Sequence, residues 1–442
     1  MMRRLLLIVP ITLLVLLSIV VGYVWWAARA ALPVYSGELT LPGLVAAVRV
    51  RTGPHGVPSI EAESLQDLML AQGFIVARER MWQMDLMRRL ADGRLAEVFG
   101  PKALAADRLF RTIGLGTDAR RALADLEPSY RGLLEAYARG VNAYLEQARG
   151  RLPIEYRIAR IEPEPWRPAD SLLIGAYMAW TQSFNLKGEL SFLRIAAHIG
   201  PERARLLFPQ DEGVPAPPLP PDLPSDLASL DPALPAGLMA AIEAPVELGL
   251  PVPGAASNAW AVTGARTRDG HAILANDPHL AASVPGIWYE LELRSPGLHV
   301  AGIALPGVPL VLIGHNDDLA WGFTSVIADT QDLFLERPSA DGEAVERPDG
   351  AVEPIETRVR QIRVKGREPV ALPVRSTSNG VILNDLLADP GWRGPGVPPA
   401  DPTGLPRVSG RYLVALRRNN DLPDRGFSAL YRLKRPRGGA GG

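Results

Sequence analysis

The residues with the clearest chemical potential surround Ser257, in the run Gly254-Ala255-Ala256-Ser257-Asn258-Ala259-Trp260. A serine at the entry to a strand is ordinarily a turn residue whose hydroxyl serves the local backbone. Its chemistry changes if the peptide bond from Ala256 to Ser257 is cut. The freed α-amine would titrate at about 7.7–8.0, near enough to neutrality to take the hydroxyl proton, directly or through one water. No histidine base is then required. That suits a chain with six histidines, no cysteine, and none of the signatures G-x-S-x-G, H-E-x-x-H, P-loop or G-x-G-x-x-G. An alternative set, His279, His315, Asp277 and Asp317, could serve a metallohydrolase, but it lacks tandem histidine spacing. His315 reads instead as support for the tight Gly314–Asp317 turn.

The elements that must position Ser257 can be read from pattern. From Ser64 to about Gly100 the apolar spacing is helical, with Leu68, Ala71, Phe74, Ile75 and Met81 near period 3.6. A second helical stretch covers Thr117 to Ala148, with Pro128 marking a start inside it. A third follows Pro168 and runs on to Ile199. Between Pro209 and Gly254 prolines crowd residues 215–235 and no period survives, as expected of a surface linker or of a segment to be removed. After Ser257 the pattern becomes strands. Asn258–Val262 returns through His271–Leu274 across Arg268-Asp269-Gly270. Trp288–Leu293 pairs with His299–Ala304, and Val308–Ile313 with Leu319–Thr324. A helical half followed by a largely antiparallel half predicts an α+β fold.

Composition narrows the partners and the location. The 442 residues are 47% hydrophobic, ample for a large core, and their net charge of −1 comes without long single-sign runs, so nucleic acid is not an expected partner. The 42 prolines and 42 glycines point to many fixed connections. Absence of cysteine excludes disulfides and thiolate chemistry and leaves the redox compartment open. Arg3 and Arg4 precede an apolar run from Leu5 to Ala28, long enough to cross a bilayer, so residues 5–28 are a candidate membrane anchor. Ala28-Arg29-Ala30 has the form of a signal-peptidase site, so anchor and cleaved signal both stay open. Either places the remainder in the cell envelope, periplasmic or extracytoplasmic.

Several motifs together carry a resemblance. Ser257-Asn258-Ala259-Trp260-Ala261-Val262 and Ala275-Asn276-Asp277-Pro278-His279-Leu280 resemble the β-subunit start of the penicillin acylase family. Ala71-Gln72-Gly73-Phe74 through Arg80-Met81-Trp82-Gln83-Met84-Asp85 resembles its α-subunit motif. Gly314-His315-Asn316-Asp317 and Ala320-Trp321-Gly322-Phe323-Thr324 resemble the hairpin beneath its active site. The likeness spans roughly residues 40–435 in the family's order. It implies the N-terminal-nucleophile αββα sandwich and a precursor that cuts itself into α and β fragments. It also implies hydrolysis of a small-molecule acyl amide through an acyl-enzyme. Ser257 matches the nucleophile. Val326 matches a main-chain donor to the oxyanion, with Ser325 the alternative one residue away. His279 falls where relatives carry Gln or His near the nucleophile. Glu189, Asp329 and Asp332 match carboxylates of a structural calcium site found in some relatives, a donor set suited to a hard cation. Without the resemblance, Asp329 and Asp332 read equally well as a solvated turn. Phe184 and Leu280 align with the acyl-pocket walls.

The resemblance also divides the chain. Residues 1–33 form the signal or anchor, 34–208 an α-subunit-like helical region, 209–256 the linker or propeptide, and 257–442 the first part of a β-subunit. That family's β-subunit continues further, carrying an asparagine oxyanion donor and more calcium ligands. The run Arg435 to Gly442 therefore reads as a truncation or an altered reading frame. Two expectations follow: an exported amidase acting on linear amides, or an acylase-like fragment that at most binds acylated ligands.

Overall fold

The computed structural model describes residues 2–183, 185–207, 233–247, 256–280, 282–325, 330–387, 412–419 and 426–433. Its helices are α1 (Met2–Ala30), α2 (Leu65–Ala91), α3 (Ala96–Phe99), α4 (Leu104–Ile113), α5 (Leu115–Asp125) and α6 (Pro128–Gln147). They continue with α7 (Ile154–Ala159), α8 (Pro168–Thr181), α9 (Asn185–Ile199), α10 (Pro201–Arg205), α11 (Ala233–Glu247) and α12 (Gly426–Leu433).

Helix α2 starts where its cap dictates. Ser64 Oγ accepts from Asp67 N at 3.1 Å, and the Asp67 carboxylate in turn accepts from Ser64 Oγ and from the amides of Val45 and Ala46. Helices α6 and α8 each begin on a proline, which brings the helical φ and lacks an N–H that the first turn would leave unpaired. The crossing of α2 and α6 is unusually close. A Cβ on Gly73 would lie 2.1 Å from Tyr137 O, and one on Gly140 would lie 1.8 Å from Leu70 O. The buried end of α2 is polar by design. Arg88 meets Asp85 at 2.8 Å and Asp170 at 3.0 Å and stacks on Trp166, while Arg89 takes Asp85 and Glu97. The Met81–Asp85 motif thus ends in a buried ion network. Removing Asp85 alone would take one of two carboxylate partners from each of two buried guanidinium groups.

Two sequence expectations change here. The third helical stretch is broken at Gln182 and Ser183, giving α8 and α9. The stretch expected to be a structureless linker contains α11, whose Leu238 is buried and whose Met239 and Ile242 pack on the main core. The proline crowding that suggested a linker, apart from Pro245 near the end of α11, stops at Pro235, in the first turn of that helix. There a missing N–H costs little.

The strands are β1 (Arg49–Thr52), β2 (Pro58–Glu61), β3 (Ala256–Val262), β4 (Ile273–His279), β5 (Tyr289–Ser295), β6 (Leu298–Ala304), β7 (Ile313–His315) and β8 (Ala320–Trp321). After them come β9 (Gln331–Pro338), β10 (Ala344–Glu346), β11 (Val352–Pro354), β12 (Glu356–Ile362), β13 (Val370–Thr377), β14 (Gly380–Ile382) and β15 (Leu413–Arg418). One sheet has the order β1-β2-β5-β6-β7-β8, a second β11-β10-β9-β15-β14-β13-β12, and β3-β4 form a hairpin of their own. Among the described residues, every pairing is antiparallel except β2 with β5. The fold is α+β, as the sequence pattern predicted. Residues 308–312 do not join β7, because Leu310 sits at φ +76°, outside strand geometry.

Candidate active site

Ser257 is half-buried on β3, opposite Pro278 of β4. Pro278 has no N–H to donate, so the ladder is thinned beside the serine. The register also sorts the side chains. Ser257, Ala259, Asn276 and Pro278 share one face; Asn258, Asp277 and His279 share the other. His279 Nε2 lies 2.9 Å from Asp277 Oδ2, to which it donates when it carries the proton, and 3.4 Å from Asn258 Nδ2. Strand alternation therefore turns the His279 ring toward Asp277, not toward the Ser257 hydroxyl. What His279 does place near Ser257 is its backbone, which pairs with Ala256 across the hairpin.

The polar residue on the Ser257 face is Asn276. Its Nδ2 donates to Asn258 O at 2.9 Å and to Phe323 O at 3.1 Å, and its Oδ1 accepts from Phe323 N at 3.0 Å. One amide side chain thus fastens the hairpin to the segment leaving β8. Gly322 makes room for it, since a Cβ there would lie 2.7 Å from the Asn276 carboxamide. The sequence showed Asn276 only as part of a motif. Its bonds reach a strand 47 residues on, which spacing does not reveal.

Val326, Asp329 and Phe184 lie outside the described residues, but their flanks are placed. Ser325 Oγ donates to Gln182 O at 3.5 Å, and Thr330 Oγ1 donates to Ser183 Oγ at 3.2 Å. Both ends of the segment carrying Val326 are therefore tied to the break between α8 and α9, immediately before Phe184. Leu280 is half-buried, packs against the main core and donates its N–H to Pro278 O at 3.0 Å.

Glu189 reaches the backbone of β9, the strand that carries Asp332. Glu189 Oε2 accepts from Leu333 N at 2.7 Å, one residue past Asp332, and the Asn185 side chain donates to Gln331 O. Gln331 is buried, and its side-chain oxygen finds no partner among the described residues. Among the described residues no group of three or more His, Asp or Glu is placed to hold a metal.

The alternative metallohydrolase set is not assembled. Asp317 takes His299 Nδ1 at 2.8 Å, and His315 Nδ1 lies 3.3 Å from Asn316 O. His299 Nε2 also meets Glu292 at 2.9 Å. The Ser59 hydroxyl, helped by His299 and Arg294, holds the Glu292 carboxyl down at about 2 against partial burial. The Gly314–Asp317 turn rests on Asn316 rather than on His315. Asn316 Oδ1 accepts from the amides of Asp318 and Leu319 at 2.9 and 2.6 Å.

Against known proteins, the penicillin amidase family model matches residues 47–438. An acyl-homoserine lactone acylase, QuiP, of Pseudomonas aeruginosa is 35% identical over 363 residues, covering 81% of this chain and 42% of the relative. The penicillin acylase 2 proenzyme of Pseudomonas sp. strain SE83 is 35% identical over 374 residues, covering 82% and 47%. Among solved structures, a thermostable penicillin G acylase from Alcaligenes faecalis in tetragonal form is 30% identical over 39% of this chain and 97% of that one, with a TM-score of 0.32. The chain spans less than half the length of the curated relatives it matches. With residues 47–438 of 442 matched by one family model, the chain belongs to the penicillin amidase family.

Proposed function

We propose that this chain is the exported precursor of an amide hydrolase that cuts itself between Ala256 and Ser257. It then uses Ser257 as nucleophile with its own α-amine as base. The observation that carries this reading is the placement of Ser257 at the start of β3, half-buried, with Asn276 on its face tying the hairpin to the strand exit before Ser325 and Val326. A main-chain donor in that exit segment, Val326 or Ser325, would face the oxyanion as the serine adds to an acyl carbonyl. His279, turned toward Asp277, would position the hairpin end rather than carry protons. Phe184 and Leu280 would border the acyl chain. Glu189, Asp329 and Asp332 would hold a structural calcium ion, which supplies charge compensation and rigidity rather than chemistry.

The substrate class is a linear amide with an apolar acyl group. The names of the relatives, acyl-homoserine lactone acylase and penicillin acylase, support amides of either kind. The test combines N-terminal sequencing with chromogenic phenylacetyl and long-chain acyl amides. Two fragments, one starting at Ser257, plus turnover lost in Ser257→Ala, are expected. A single uncut chain with unchanged behaviour of the variant would sink the reading. Exposure of Trp260 and Ile273 on the hairpin favours a second reading, a non-catalytic module that binds acylated ligands. Hydrolysis by the protein itself excludes it.

A further inference from the structure

Helix α1 is not isolated from the folded body. Its segment Pro10–Ala30 has a mean hydropathy of 2.2 and is long enough to cross a membrane. Near its end it docks on α7: Arg157 Nη1 donates to Tyr23 Oη at 3.1 Å, and the Arg157 guanidinium lies 5.3 Å from the Trp26 ring centroid. Ala27 is buried, and Arg29 lies over Trp25 at 5.1 Å.

Arg3 and Arg4, just before the apolar run, and the length of that run together set the depth of this contact. About 20 apolar residues span the hydrocarbon core, so a span beginning at Leu5 ends near Val24. Tyr23, Trp25 and Trp26 then lie at the lipid–water boundary, where amphipathic rings gather, and Arg29 can extend its head into the headgroups. Because Arg157 touches Tyr23 and Trp26, α7 is held at that same level. Its own surface suits the place. Ile158 is 74% exposed on α7, although it follows a residue engaged with α1. Residues 149–160 hold four arginines, Arg149, Arg151, Arg157 and Arg160, against one acid, Glu155. Lys365, from the loop after β12, donates to Ala159 O and adds another cation.

We infer that α7 and the adjoining Lys365 loop form a membrane-docking face. Ile158 would enter the headgroup boundary and the arginines would meet anionic phospholipid, while α1 stays attached as the anchor. The inference rests on export with α1 retained. It adds a defined orientation: the catalytic body lies on the bilayer by one face rather than swinging on a tether.

The chain has no cysteine, so a single introduced thiol reports one position. The full chain carrying Ile158→Cys, or Val352→Cys on β11, at the opposite edge of the second sheet from β12, is labelled with an environment-sensitive fluorophore. It is then reconstituted into phosphatidylcholine vesicles containing some phosphatidylglycerol, with or without headgroup-proximal spin-labelled lipid. The 158 label should blue-shift and lose most of its emission to the quencher while the 352 label keeps its own. Arg157→Ala should abolish the difference without preventing flotation with the vesicles. Flotation with neither label quenched, or with both quenched equally, overturns the docking face and leaves the anchor standing. Recovery of protein lacking residues 1–30, or failure to float, overturns the anchor and the docking face with it.

Discussion

Gln72 holds both backbone polar groups of Leu310. Leu310 N donates to Gln72 Oε1 at 3.0 Å, and Gln72 Nε2 donates to Leu310 O at 3.4 Å. Leu310 is a non-glycine residue at φ +76°, a conformation that costs about 1–2 kcal/mol. Gln72 is fully buried on α2, so its carboxamide is the group that compensates a strained, water-excluded backbone. Replacing it with Met, close in size but unable to bond twice, should cost about 2–4 kcal/mol, from two unsatisfied buried groups. Urea unfolding would measure this, and a loss below the noise of that method would refute the clamp.

Asn276 makes a sharper prediction about the site. Asn276→Ala removes the two hydrogen bonds that fasten the Ser257 hairpin to Phe323, and a third to Asn258 O within the hairpin. Small misplacements of a reacting group can cost about 10²-fold. Processing at Ser257 and turnover should therefore each fall by roughly that factor while circular dichroism stays native. Intact-mass time courses would follow the first and acyl-amide hydrolysis the second. Asn276→Asp keeps the acceptor for Phe323 N and should retain more activity.

Calcium supplies a third. If the oxygens around Glu189 and Asp332 take a cation, added calcium should raise the melting temperature of the wild type and chelation should lower it. Glu189→Gln weakens the charge yet keeps an acceptor for Leu333 N. It should lose most of the calcium response with little change in the chelated melting point. Equal responses in both proteins would place the ion elsewhere.

Asp107 governs part of the pH dependence. Burial pushes its carboxyl up to about 7 from an ordinary 3.8, although it accepts from the amides of Leu95 and Ala96, each at 2.7 Å. A raised folded value means that the native state binds the extra proton. The stabilisation is therefore complete below about pH 3.8 and is lost as pH rises through about 7. The swing is on the order of 2–4 kcal/mol. Asp107→Asn should flatten the stability profile between those limits, as read from denaturant midpoints across pH.

Much of this was legible in the sequence, for local reasons. Pro128 and Pro168 start helices because proline's geometry is fixed, and the apolar spacing that begins after Ser64 marks α2. The hairpin of β5 and β6 followed from alternation around Pro296-Gly297. What stayed hidden depends on distant partners. Helix α11 was obscured by the prolines that lead into its first turn and by Pro245 near its end, and its burial needs a core made by other segments. Val308–Leu312 reads as strand because apolar character does not reveal the φ that Gln72 imposes on Leu310. His279 could be aligned with a site, but the face it occupies required the register of β3 with β4.

The parallel pairing of β2 with β5 joins Ser59–Glu61 to Glu292–Arg294, across the whole helical region and the Ser257 hairpin. On a ribosome, β2 emerges long before its partner exists. At about 5–20 residues per second the wait is on the order of 10–50 s. Throughout it, the β2 edge of the β1–β2 hairpin, later covered by β5, stays open to whatever is nearby. The nascent protein therefore has a period of exposure written into its strand order, and holding chaperones should engage it most strongly between synthesis of α2 and synthesis of β5.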